Sequence, residues 1–250
     1  MSNPVGFPQE NNNPPALQFL FIDDKVSLTY DYADAHGSSM TSFLNILNER
    51  TSAEHFDSGI GIEELEIQEL IEAACQAPSA FNIQHWRFIA ITDQRIREQL
   101  KATTMASNQE RVANAPVTIL ILGDLEAYKR LDAILLESVQ AKVLSPSIAD
   151  VWLNAAKTMY SVDPRLARDE AIRSGSLAAM TLMFAAVDRG YITCPVGFDP
   201  VKVRELLNIT DRYVPVIMVT IGRPIPGNTA RRPRLPVDRV LAFNASDRFD

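Results

Sequence analysis

From Arg168 to Arg189 the chain reads as one long helix with apolar residues over most of its circumference, closed by Gly190. A helix with a single apolar stripe rests on a surface, but one that is apolar nearly all round needs neighbours on every side. It is therefore either the central helix of its domain or part of a subunit interface. Val117–Leu122 (Val-Thr-Ile-Leu-Ile-Leu), between Pro116 and Gly123, is apolar on both faces, as a central strand covered on both sides must be. Together these two segments require a layered body, with helices flanking one sheet.

The remaining periodicities fill in that body. Ser42–Asn48 places Phe43, Ile46 and Leu47 at helical spacing, and Ile62–Gln76 repeats Ile67, Leu70, Ile71, Ala74 and Cys75 as a clearer helix. Arg87–Thr92 alternates as a half-buried strand, after which Asp93 caps a helix reaching about Met105. Helical segments over 125–143 and 147–160 are split by Ser145-Pro146. Asp199-Pro200 starts another helix, and Val214–Ile221 is a strand. The prolines beyond Gly222 imply an extended tail. The expected class is α+β with a central mixed sheet flanked by helices. Residues 1–38, rich in Asn and Pro at the start, are set apart as an accessory arm in which Leu17–Ile22 could add a strand. The main domain is expected over 39–250.

At 250 residues and 46% apolar content the chain can bury a sizeable core, and its net charge of -7 argues against non-specific nucleic-acid binding. Cys75 and Cys194 are too few for a disulfide scaffold, and His36, His55 and His85 lack metal-site spacing. Neither a signal pattern nor a membrane-length apolar run is present, so the expectation is a cytoplasmic protein.

Three places carry candidate chemistry. Ala77–Phe88 ends a helix in a polar loop holding Ser79, Asn82 and Gln84, suited either to an ordinary turn or to hydrogen-bonding a flat polar ring. Arg50-Thr51-Ser52 offers a guanidinium and two hydroxyls. Arg231-Arg232-Pro233-Arg234 gathers three guanidiniums in an acidic chain; in an extended segment Arg232 and Arg234 project to one side and can converge on one anion. The alternative is a solvated basic patch. No glycine-rich phosphate cradle is present, so a bound phosphate would be held by side chains.

With these motifs the sequence resembles the FMN-dependent nitroreductase family over roughly residues 42 to 240. The resemblance rests on Glu-Arg-Thr-Ser-Ala-Glu-His-Phe-Asp (49–57), Ala-Pro-Ser-Ala-Phe-Asn-Ile-Gln-His-Trp (77–86), and Asn108-Gln109 with Ala115-Pro116. It continues through the long helix into Thr-Cys-Pro-Val-Gly-Phe-Asp (193–199), then Val214–Gly222 and Arg-Pro-Arg-Leu-Pro (232–236). The variant motifs are closest to its NAD(P)H nitroreductase subgroup. The resemblance implies a domain-swapped homodimer with FMN at the interface, embraced by a C-terminal arm over 223–250. By the same resemblance Arg50, Ser52, Arg232 and Arg234 would bind the phosphate, with Thr51 beside them. Pro78, Ser79, Ala80, Asn82 and Gln84 would reach the flavin from the partner chain. Asn108 would bond its pyrimidine edge, with Arg111 nearby, and Cys194, Pro195, Val196 and Gly197 would pass its reactive face. Glu54 stands beside the flavin where the family usually has Lys or Arg.

The activity so implied is ping-pong transfer of hydride from NAD(P)H to nitroaromatic, quinone or similar acceptors. A flavin-dependent dehydrogenase or dehalogenase, or a flavin-binding sensory protein, is the alternative. Segment 125–160 would wall the substrate pocket, with Phe81, Tyr128, Trp152 and Tyr160 available to stack on aromatic substrates. No side chain is assigned as general acid or base.

Overall fold

The computed structural model describes residues 19–22, 25–28, 43–244 and 246. Two compact units divide between Phe43 and Leu44. In the first, β1 (Phe19–Ile22) and β2 (Lys25–Leu28) pair antiparallel, and the rest of the expected accessory arm lies outside the described residues.

The second unit is built on a four-stranded sheet of β3 (Trp86–Ile91), β4 (Val117–Asp124), β5 (Ile192–Val196) and β6 (Tyr213–Gly222), in the order β3-β4-β6-β5. Every residue of β4 is buried. Val117, Ile119 and Ile121 face one core cluster and Leu120 and Leu122 the other, as its unbroken apolar pattern predicts. The first cluster packs the sheet against α2 (Glu64–Ala74) and α7 (Pro164–Asp188). The second packs it against α3 (Gln94–Lys101), α4 (Ala106–Asn114) and α8 (Pro200–Leu206). A short helix α1 (Phe43–Glu49) precedes them, and α5 (Leu131–Gln140) and α6 (Pro146–Val162) form a third cluster with Ile83.

The long apolar helix is the central one. Its face of Ala171, Ser174, Gly175, Ala178 and Ala179 is buried, and small residues let it approach the sheet closely. A Cβ on Gly123 would lie 2.8 Å from the Ala171 Cβ, so that strand position must remain glycine. Gly190 ends the helix at φ +74, which L side chains rarely adopt.

Two expectations are corrected. The sheet is not mixed, because all its strand pairs are antiparallel. Between β3 and β4 run two helices rather than the single crossover helix of a parallel pair, so the chain returns to the end it left. Among the described residues the one parallel pairing is an isolated bridge, Ser52 to Thr193. The helix capped by Asp93 stops at Lys101, short of Met105. Thr103 and Thr104 donate their hydroxyls to the carbonyls of Leu100 and Lys101, ending the helix before α4 starts.

His85 is buried at 2% exposure, with Nδ1 3.2 Å from the Ser174 hydroxyl. Burial lowers its pKa to about 4, against the upward pull of Asp124. An unfolded chain protonates this ring near pH 6.5, whereas the folded one keeps it neutral down to about pH 4. The unfolded state therefore binds more protons between those values. The contribution is complete above pH 6.5 and is lost as the pH falls, by about 3 kcal/mol over the window. Urea unfolding at several pH values should show this loss, and His85→Phe should flatten it.

Candidate active site

After α1 the chain runs extended beside β5. Ala53 N–H donates to the Thr193 carbonyl at 2.9 Å, Ser52 bridges Thr193, and Phe56 bridges Pro224. Arg50, Ser52 and Glu54 lie along one cavity, while Ala53 between the last two turns into the core. The cavity is about 220 Å³ and is also lined by Thr51, Arg111, Cys194, Pro195 and residues 229–232 and 234 of the C-terminal segment. Asn228 moors that segment. Its Oδ1 accepts from the N–H groups of Glu54 (2.7 Å) and His55 (3.0 Å), and its Nδ2 donates to the His55 carbonyl at 2.8 Å.

Five guanidiniums and one carboxylate line this cavity. Arg50 is buried at 8% exposure. Burial first, and the positive charges of Arg231 and Arg234 second, lower its pKa. Among the described residues no carboxylate pairs with Arg50, Arg231 or Arg234, so nothing there offsets their mutual repulsion. Arg231 and Arg234 donate to the carbonyls of Leu47 (2.6 Å) and Arg232 (2.9 Å). Arg232 instead faces Glu54, at 3.9 Å. The expected pair on one anion was Arg232 and Arg234; the geometry adds Arg231, whose place in the arginine run was its only signal.

Glu54 is not turned away. Its Oε1 lies 3.2 Å from Arg111 Nη2 and accepts from the Thr229 hydroxyl at 3.4 Å. Arg111 also donates to Asn108 Oδ1 at 2.7 Å, so Asn108 meets the cavity through Arg111. Burial raises the Cys194 thiol, which keeps it protonated and makes it a neutral wall. Of the 194–197 stretch, Cys194 and Pro195 line this cavity. Val196 and Gly197 line a neighbouring one of about 370 Å³.

The loop at 77–84 does not line the arginine cavity of its own chain. It carries three non-glycine residues in the left-handed region, Phe81 (φ 51), Asn82 (φ 56) and Gln84 (φ 56). Such a conformation is costly for a bulky side chain and persists only where its surroundings enforce it. Here Ser79 Oγ accepts from the Gln84 N–H at 2.9 Å, and Gln84 Nε2 donates to Asn82 Oδ1 at 3.3 Å. Phe81 packs edge-on against Trp152 and Tyr160, with centroids at 6.1 and 6.5 Å. Tyr128 adjoins Tyr160 at 5.9 Å, so all four expected substrate-wall aromatics converge. Tyr160 is buried within the helical layer, and the other three are partly exposed. Ser79, Ala80 and Asn82 thus lie at or in a single strained turn, and Pro78 precedes it exposed.

A second feature of the loop was invisible in the sequence. Asp124, fully buried at the end of β4, accepts from Arg212 (2.8 and 2.9 Å), Arg130 (2.5 Å) and Arg87 (3.4 Å). Its N–H donates to the His85 carbonyl at 2.7 Å, and Arg87 donates to the Gln84 carbonyl at 3.1 Å. This hub ties the loop exit to the sheet.

Among the described residues no helix is long and apolar enough to cross a membrane, and no cluster of three or more His, Cys, Asp or Glu could hold a metal. The model of the nitroreductase family matches residues 47–223. MhqN of Bacillus subtilis, which carries the name of an NAD(P)H nitroreductase, is 36% identical over 209 residues, covering 82% of this chain and all of that one. Protein DrgA of Synechocystis is 34% identical, over 80% of this chain and 95% of its own. A structure from Exiguobacterium sibiricum, described as a nitroreductase in complex with FMN, superposes with a TM-score of 0.76 at 27% identity. It covers 83% of this chain and 99% of that one. With the family model spanning most of the chain and relatives at 34% and 36% identity matched almost end to end, the chain belongs to the nitroreductase family of oxidoreductases.

Proposed function

We propose that this protein is an FMN-dependent reductase that takes hydride from NAD(P)H and passes it to nitroaromatic, quinone or similar acceptors, one substrate replacing the other over the cofactor. The observation that carries this reading is the cavity in which a buried Arg50 feels the charges of Arg231 and Arg234, none of the three paired with a carboxylate among the described residues. That arrangement suits a dianionic phosphate, which guanidinium forks recognise well, and the Thr51 and Ser52 hydroxyls add donors. The residues present therefore fit the anionic end of FMN. The bound flavin supplies the hydride chemistry, and the chain supplies position and exclusion of water. Asn108 and Arg111 would address the pyrimidine edge, and Cys194 and Pro195 would back the ring.

A cavity of about 220 Å³ is smaller than the roughly 300–1,000 Å³ usual for a complete ligand site. In the proposed homodimer the strained loop of a second copy completes it, bringing Ser79, Asn82 and Gln84 to the ring. The aromatic cluster would then wall the acceptor site. A groove of about 960 Å³ along α2 and the outer edge of β3, lined by Ile67, Ile71, Phe88 and Trp86, has room for a partner segment. Leu235, Val237 and Phe243 are 69%, 68% and 74% exposed on the C-terminal segment and match it in character. The reading therefore includes an arm exchanged between protomers.

Anaerobic titration of the FMN-loaded protein with NADH and NADPH tests the activity. Loss of the oxidised-flavin absorption with at least one donor, and its return on adding a quinone, is the expected outcome. Persistence of that absorption with both donors would exclude a reductase. For the arm, Leu235→Asp with Phe243→Asp should convert a dimer to a monomer in light scattering, and an unchanged dimer would contradict the exchange.

A further inference from the structure

We infer that Glu54 sets the redox poise of the site by acting as counterion to Arg111, withholding that positive charge from the occupant of the cavity. The inference rests on reading the cavity as the FMN site. Glu54 is the one carboxylate among five lining guanidiniums, and it does not share itself evenly. Its Oε1 sits 3.2 Å from Arg111 and 3.9 Å from Arg232. The side chains of Glu54 and Arg111 are only 25% and 19% exposed, so their attraction is less screened than that of a surface pair.

The cavity is thereby divided. Arg50, Arg231 and Arg234 stay uncompensated and form the strongly positive end. Arg111, bonded also to Asn108, forms with Glu54 a polar, nearly neutral pair, beside which Arg232 lies 3.9 Å from Glu54 with its side chain largely exposed. A phosphate gains from the first end in either redox state. The second end decides how much the site favours the additional negative charge of the reduced cofactor. With Glu54 in place that preference is weak, and the cofactor is held at a lower potential than five free guanidiniums would impose.

The Glu54 carboxylate can be altered without unmooring the C-terminal segment, because Asn228 holds residues 54 and 55 through backbone groups. Glu54→Gln should therefore leave the fold in place. It should tighten binding of reduced over oxidised FMN roughly tenfold, an upward shift of about 30 mV for a two-electron couple. Arg111→Gln, which leaves Glu54 without its principal partner, should shift the potential downward. Glu54→Gln combined with Arg111→Gln is neutral like the original pair and should return close to the wild-type value.

Spectroelectrochemical titration of the four FMN-loaded proteins reads these shifts directly. A Glu54→Gln potential equal to that of wild type would overturn the inference while leaving the FMN site intact. A double variant that kept the full Glu54→Gln shift would overturn it too, since Glu54 would then act independently of Arg111. Failure of the wild-type chain to take up FMN at all would remove the site reading and this inference with it.

Discussion

Arg50→Ala combined with Arg234→Ala is expected to weaken FMN binding by about 3–6 kcal/mol, at about 1.5–3 kcal/mol for each charge-assisted hydrogen bond lost. That is two to four orders of magnitude in the dissociation constant. The effect should be large because Arg50 is buried and its charge, pressed by Arg231 and Arg234, has no compensating carboxylate among the described residues. The ligand-free fold should survive the double substitution, since among the described residues neither guanidinium closes an ion pair. Arg232→Ala should cost less, as its side chain is 81% exposed and faces Glu54. Isothermal titration with FMN distinguishes the variants. Equal affinities for the double variant and the wild type would displace the phosphate from this end of the cavity.

The second large effect concerns stability. Asp124→Asn should destabilise the protein by about 3 kcal/mol, because it removes the charge on which three arginines converge at a fully buried position. Their side chains keep 35–46% of their exposure, so water can recover part of the loss, and the low end of the roughly 3–5 kcal/mol range applies. The same substitution should reach the loop, because Arg87 bridges Asp124 and the Gln84 carbonyl. Urea unfolding would register the first effect. Faster backbone amide exchange at residues 79–85 would register the second. A midpoint unchanged from wild type would show that the arginines find equivalent partners without Asp124.

The parts legible in the sequence were those decided by neighbours along the chain. The doubly apolar run at 117–122 became the central strand, the all-round apolar helix became the central helix, and Asp93, Ser145-Pro146 and Gly190 marked boundaries that hold. Strand direction was not legible, because it depends on how two intervening helices return the chain. The break at 101–106 escaped because Thr103 and Thr104 end a helix through side-chain bonds that no hydrophobic pattern records.

In the candidate site, residue types were readable but their facing was not. The alternation of an extended chain put Arg232 and Arg234 together, whereas Arg231 and Arg234 are the two that press on Arg50. Glu54 could be flagged as an unusual charge. Its pairing with Arg111 joins residues 57 positions apart, and its contact with Thr229 spans 175. The Asp124 hub likewise closes over a separation of 88. Pairings at such distances are set by the folded topology and leave no local trace.

Whether the arginine cavity takes FMN can be read from gel filtration of the wild-type chain after incubation with FMN. The expected result is a yellow protein peak with stoichiometric flavin and a melting temperature that rises with added FMN, as binding to the native state alone requires. A colourless peak and a melting temperature indifferent to FMN would contradict it.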